Sequence, residues 1–206
     1  MFKEKLKYAF YTIGHPADGF YEIRHRGQGS VPLALLFVFL FGLCFSANRQ
    51  YAGFVVNFVN PMEINSFAEM LAVFVLFFLF CVGNWSITCL MNGEGRLKDI
   101  VTVCGYSMLP MILTFVPAII LSRFVVADEE AFYYILMGFG IAWFLLLVLS
   151  GVMTVHNYTL GKTLLTIIFT FVAMLIIVFI AMLLYSLLSQ VISFFVSIYN
   201  ELMLRA

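Results

Sequence analysis

Ser107, Pro110, Thr114 and Pro117 follow one another at intervals of three, four and three within an apolar run from Ile100 to Ser122. At helical spacing they share one face. Each proline deletes an amide donor, freeing the carbonyls of Tyr106 and Leu113, and nearby hydroxyls are the groups with which a bent helix fills such gaps. The chemistry open to this face is hydrogen bonding by neutral groups: a kink, a hinge or a contact surface, with no proton to move. Just before it stands Gly93-Glu94-Gly95-Arg96-Leu97-Lys98-Asp99. Its glycines invite a phosphate-loop reading, but no Gly-Lys-Ser/Thr and no preceding strand accompany them, so it reads as a turn between two spans.

Titratable groups elsewhere add little chemistry. Glu69, Asp99 and Arg123 fall at the ends of apolar runs rather than inside them. A charge at the bilayer centre costs several kcal/mol and marks ion or proton pathways. The apolar runs therefore argue against an ion-coupled transporter and against a membrane hydrolase built on paired aspartates or a His-Glu-x-x-His helix. His15, His25 and His156 lie outside the runs at separations that fit no metal site, and we read them as interfacial. Cys44, Cys81, Cys89 and Cys104 lie in or beside the runs without Cys-x-x-Cys spacing and read as small hydrophobes. No catalytic constellation can be assembled and no cofactor is implied.

The elements that carry these residues are membrane helices. Of 206 residues, 64% are hydrophobic and 11% charged, far from the composition of soluble domains. Eleven basic residues balance eleven acidic ones, which leaves no surplus for nucleic acid. Five apolar runs reach spanning length: Val31 to Ala47, Phe67 to Leu90, Ile100 to Ser122, Phe132 to Val155 and Thr163 to Leu188. The first is the shortest. It lacks a clean small-x-small cleavage site and is preceded by some thirty residues, so we read it as a retained helix rather than a signal peptide. The fold class is all-α: a polytopic bundle of five transmembrane helices with an N-terminal interfacial amphipathic helix.

Three regions follow: an N-terminal amphipathic cytoplasmic segment, 1–30; the membrane domain, 31–188; and an amphipathic C-terminal extension, 189–206. In the first, Phe2, Leu6, Phe10 and Ile13 recur at helical spacing, with Lys3, Glu4 and Lys7 elsewhere around the helix. This pattern suits a helix lying among anionic headgroups. His15-Pro16 should stop it, Ala17 to Tyr21 should turn with Asp18 as cap, a second short piece should run to His25, and Pro32 should open span one. Gln50 to Ser66 reads as a loop touching the interface, and Gln190 to Leu204 as too polar to cross hydrocarbon. Asn84, Trp85, Ser86 and Thr88 should meet Tyr106 or Ser107 across the hairpin. Gly42 with Ser46, Gly138 with Ala142 and Ser150 with Thr154 should mark close helix contacts.

Eight Lys and Arg residues fall before span one or in the loops after spans two and four, against three in the other segments. The positive-inside rule then puts the N-terminus in the cytoplasm and the C-terminus outside.

Gly105-Tyr106-Ser107-Met108-Leu109-Pro110 resembles the Gly-Tyr-Ser/Cys-x-x-Pro element that opens the third span of the Yip1 family of five-span membrane proteins. The basic glycine turn before it and the Pro16 to Ser30 lead-in to span one support the likeness. The resemblance implies a five-span layout and makes Gly105, Tyr106 and Pro110 motif positions. Eukaryotic relatives are implicated in Rab GTPase binding and vesicle traffic. This chain lacks their long low-complexity N-terminal tail and an Asp-Leu-Tyr-Gly-Pro element, and so resembles a bacterial member residing in the cell membrane. The expected function is that of a non-catalytic organiser or adaptor of other membrane proteins or lipids. Its partners would be the lipid bilayer and another membrane protein or a second copy. The alternative is a transport component or accessory subunit of a permease for an uncharged solute. The expected contact or hinge residues are Gly105, Tyr106, Ser107, Pro110, Thr114 and Pro117.

Overall fold

The computed structural model describes residues 2–205, and the side chains of Phe2, Lys3, Pro61, Leu202 and Arg205 lie outside what is described. Eight α-helices account for nearly all of it: α1 (Phe2–Gly14), α2 (Pro16–His25), α3 (Val31–Tyr51), α4 (Ser66–Leu90), α5 (Leu97–Ser107), α6 (Leu109–Leu121), α7 (Glu130–His156) and α8 (Leu160–Arg205). No strand occurs among the described residues. Five stretches are long and apolar enough to cross a membrane: α3, α4, α5 with α6, α7, and most of α8.

The helix boundaries have local causes. Pro32 stands in the first turn of α3, where a missing amide is harmless. The Asn65 side chain accepts the amides of Phe67 and Ala68 and starts α4. Asn92 adopts φ 56 after α4, and the Gly93 amide closes back on the Thr88 carbonyl at 2.7 Å. Asn157 adopts φ 54 after α7, and the Tyr158 amide closes on the Met153 carbonyl at 2.9 Å. Both are Schellman closures with asparagine in the left-handed position.

The third span is two helices. Met108 separates them, its amide bonding the Gly105 carbonyl at 3.2 Å. Pro110 consequently begins α6 instead of interrupting a continuous helix. Every residue from Asp99 to Ser107 is buried, which makes α5 the central post of the bundle, packed on α3, α4 and α7.

The N-terminal segment departs from its expected setting. Pro16 starts α2 at once, so Ala17 to Tyr21 is helical, and the Asp18 side chain stands in the first turn of α2 rather than capping it. The two helices form a hairpin docked into the bundle. Phe20 is fully buried, Tyr8 Oη donates to the Gly19 carbonyl at 2.8 Å, and Trp143 Nε1 donates to the Ile13 carbonyl at 3.3 Å. Trp143 lies midway along α7, so the tip of the hairpin reaches the middle of the bundle. Ala9 and Thr12 face the protein while Phe10 stays half exposed. The apolar stripe expected from spacing is thus rotated, because the helix packs against α2 as well as the bundle.

Helix contacts also shift relative to the small-residue pairs. A Cβ on Gly42 would touch Met70 of α4, as expected of a contact position, but one on Gly138 would meet nothing. The close approach of α7 to α6 falls instead at Gly140, against Thr114. Cys81 and Cys104 are buried in one apolar cluster with Val38, Phe77, Ile100 and Val101.

Helix α8 is a continuous rod of 46 residues. At 1.5 Å per residue it spans about 70 Å, more than twice a hydrocarbon core of about 30 Å. Its first turns pack on α4, with Thr163, Thr166 and Thr170 fully buried. Beyond Ile177 almost every residue is exposed.

Candidate functional site

The third-span residues are gathered by packing. Gly105 lets α5 lie directly on α3: a Cβ there would stand 2.6 Å from Ala34 Cβ and 2.7 Å from the Ala34 carbonyl oxygen. Tyr106, next to it, is 1% exposed, and its hydroxyl accepts the Ser30 amide at 3.2 Å. Ser30 is the residue before α3, so this bond satisfies one of the amides that a helix start leaves open. Ser107 Oγ donates to the Val103 carbonyl at 2.8 Å, and Thr114 Oγ1 to those of Pro110 and Met111 at 3.1 Å each. Ser107, Pro110 and Thr114 are buried; Pro117 is exposed. The partners foreseen for Tyr106 and Ser107 lie elsewhere. Asn84 Nδ2 donates to Thr170 Oγ1 of α8 at 3.1 Å, and its Oδ1 is buried without a partner. The pairing failed because Asn84 turns to α8, whereas Ser86 and Thr88 donate to the Val82 and Trp85 carbonyls of their own helix.

A second constellation sits where the glycine turn meets the α7–α8 connection. The two asparagine closures end α4 and α7 side by side. Gly95 donates its amide to His156 Nδ1 at 3.2 Å, and Tyr158 Oη donates to the Met91 carbonyl at 3.1 Å. An accepting Nδ1 makes this imidazole neutral, with its proton on Nε2, which is buried without a partner. The loop passes so close that a Cβ on Gly95 would stand 2.5 Å from Val155 Cγ1 and 2.7 Å from His156 Cε1. This is what the two glycines are for. His156 is therefore 1% exposed and enclosed by protein, not interfacial. Lys162 Nζ lies 4.1 Å from the centre of the Tyr158 ring, a cation–π contact.

Arg24 of α2 locks the hairpin to this junction. Its Nη1 donates to the Val155 carbonyl at 2.6 Å, and its Nη2 is ion-paired with Glu94. The guanidinium holds the Glu94 carboxyl below the usual carboxylate range, first by hydrogen bonding and then by charge. Asp99 accepts from the Arg96 amide at 3.2 Å and from Arg96 Nε at 3.1 Å, anchoring the start of α5. In the sequence the glycine turn and His156 stand in separate segments, and their spacing did not foretell the Gly95–His156 bond. The asparagines after two apolar runs were the available signal. Among the described residues no group of three or more His, Cys, Asp or Glu is placed to hold a metal.

The third feature is a cavity of about 1070 Å³ on the other side of α5, bounded by α3, α4, α7 and α8. It opens because α7 and α8 make few contacts beyond their connecting turn. Cys104, Met108 and Met111 line it from the third span, whereas Ser107 and Thr114 do not. Its one charged feature is the ion pair of Arg49 Nη1 with Glu69 Oε1 at 2.8 Å, in the last turn of α3 and the first turn of α4.

The five spanning stretches and the buried central post define an all-helical, multi-pass membrane protein. A Yip1 domain matches residues 10–182, and the chain belongs to the Yip1 family. No curated protein and no solved structure matches it.

Proposed function

We propose that this protein is a non-catalytic adaptor that organises other membrane proteins or lipids, and that α8 is the element through which it grips a partner. The observation that carries this reading is the exposed far half of α8. Leu184, Leu188, Val191, Phe195 and Ile198 follow alternating steps of four and three, while Ser186, Gln190, Ser193, Ser197 and Asn200 form a separate polar stripe. An apolar seam repeating near 3.5 residues fits another helix, either of a different protein or of a second copy. Membership of a membrane family of non-catalytic type supports the same reading. We further propose that the hairpin end of the bundle, carrying Arg24, Arg96, Lys98 and Lys162, faces the cytoplasm of a bacterial cell and that the C-terminus lies outside.

The test is photo-crosslinking from positions 191 and 195 of the full chain in its native membrane. Adducts with one protein, or with a second copy, are expected. Adducts with lipid alone at both positions would overturn the reading. Transport of an uncharged solute is the second reading, favoured by the cavity; flux through proteoliposomes containing only this protein is its test.

A further inference from the structure

We propose that the cavity bounded by α3, α4, α7 and α8 is a binding site for one phospholipid with a primary-ammonium headgroup. The site would hold the headgroup at the Arg49–Glu69 pair and the acyl chains among the apolar walls. The inference deepens the lipid side of the adaptor reading and rests on it only in that respect. It uses no part of the exposed half of α8.

The ion pair stands at the right level. Arg49 is in the last turn of α3 and Glu69 in the first turn of α4, so both lie at the end of the bundle remote from α1 and α2, where a membrane helix meets the headgroup layer. Apart from these two residues the lining is apolar, running from Phe45 and Leu76 inward to Phe80 and on to Leu164 and Phe171 of α8. At about 1070 Å³ the cavity lies just above the range of ordinary ligand pockets, roughly 300–1,000 Å³. It also has an open side where α7 and α8 diverge.

The choice of headgroup follows from what the pair leaves unsatisfied. Glu69 Oε1 is taken by Arg49, but Oε2 is buried with no hydrogen-bond partner. A buried carboxylate oxygen without a donor is costly, and a charged donor is what relieves it best. The Glu69 side chain is 11% exposed, so water reaches it poorly, whereas the Arg49 side chain is 39% exposed and keeps donors free for a phosphate. An ammonium on Glu69 beside a phosphate on Arg49 is the charge pattern of an ethanolamine-type zwitterion. Choline places three methyl groups where Oε2 needs a donor. A glycerol headgroup supplies a phosphate for Arg49 and no cation for Glu69.

The full-length protein, stripped of lipid in detergent, would be offered phosphatidylethanolamine, phosphatidylcholine and phosphatidylglycerol in equal amounts. Native mass spectrometry then reads which lipid is retained. One phosphatidylethanolamine per chain is expected, at about tenfold over each competitor, the discrimination expected of one charge-assisted hydrogen bond. Glu69→Gln should bring ethanolamine and choline lipids within about twofold of each other. Ala72→Phe, which fills the cavity from α4, should remove retention of all three. Equal retention of the three lipids by the wild type, or a preference that survives Ala72→Phe, would overturn the proposal whether or not Glu69→Gln folds. Neither result touches crosslinking from α8, so failure of the lipid site and failure of the adaptor reading are distinguishable.

Discussion

Gly105 and Tyr106 show how much of a short motif is architecture. The glycine exists so that α5 can touch the backbone of α3, and the tyrosine hydroxyl closes the start of that same helix. Gly105→Ala should force α5 off α3 and lower stability by about 1–3 kcal/mol, the usual cost of overpacking. Tyr106→Phe should cost about 1–3 kcal/mol by leaving the Ser30 amide without its partner. Both are read as thermal shifts of the protein in detergent. Pro110 should behave otherwise. At the first turn of α6 it removes no helical bond, so Pro110→Ala should cost under about 1 kcal/mol, through the entropy of the unfolded chain. A loss as large as that of Gly105→Ala would mean that the proline holds the two-helix break. The alternation of Ser, Pro, Thr and Pro was legible as a shared face. That the hydroxyls would spend themselves on Val103, Pro110 and Met111 needed the three-dimensional structure, since a hydroxyl has local and distant acceptors alike.

At the scale of elements, the hairpin α1–α2 is fastened by Arg24 to the Val155 carbonyl and to Glu94 of the glycine turn. Because Arg24 lowers the folded-state pKa of Glu94 below its ordinary 4.5, the pair's contribution is complete above about pH 4.5. It fades as the pH falls through the depressed value and the carboxylate takes up a proton. Hydrogen exchange of residues 92–96 should therefore stay slow from neutral pH down to about 4.5 and quicken below it, after correction for intrinsic rates. Glu94→Gln should exchange faster at neutral pH and lose that acid-dependent step. A profile identical to wild type would show that the carbonyl bond from Arg24 holds the turn alone.

For the molecule as a whole, the asymmetry is between a buried post and an exposed arm. Helix α5 is enclosed from Asp99 to Ser107, while α8 runs on for many turns with little protein around it. Truncation after Leu188 should leave the melting temperature of the bundle within a few degrees of wild type, since those residues bury almost nothing in the single chain. The same truncation should abolish capture of the partner. A large fall in melting temperature would instead make the arm part of the fold.

Composition and run length were enough to decide the solvent, the number of spans and the all-helical class. A chain with 64% hydrophobic residues in five long runs can bury them only in lipid, and in lipid the backbone must satisfy itself as helices. Prolines, asparagines and glycines set where those helices start and stop, because their effects act within a turn of the chain. Which helices touch was decided only by the tertiary structure. It carried the hairpin tip to Trp143, brought Gly95 and His156 together, turned Asn84 toward Thr170 and set Arg49 against Glu69 at the mouth of the cavity. In an almost uniformly apolar sequence many pairings bury similar surface. Shape and a few polar contacts between distant residues choose among them, and neither is written in the spacing of any one segment.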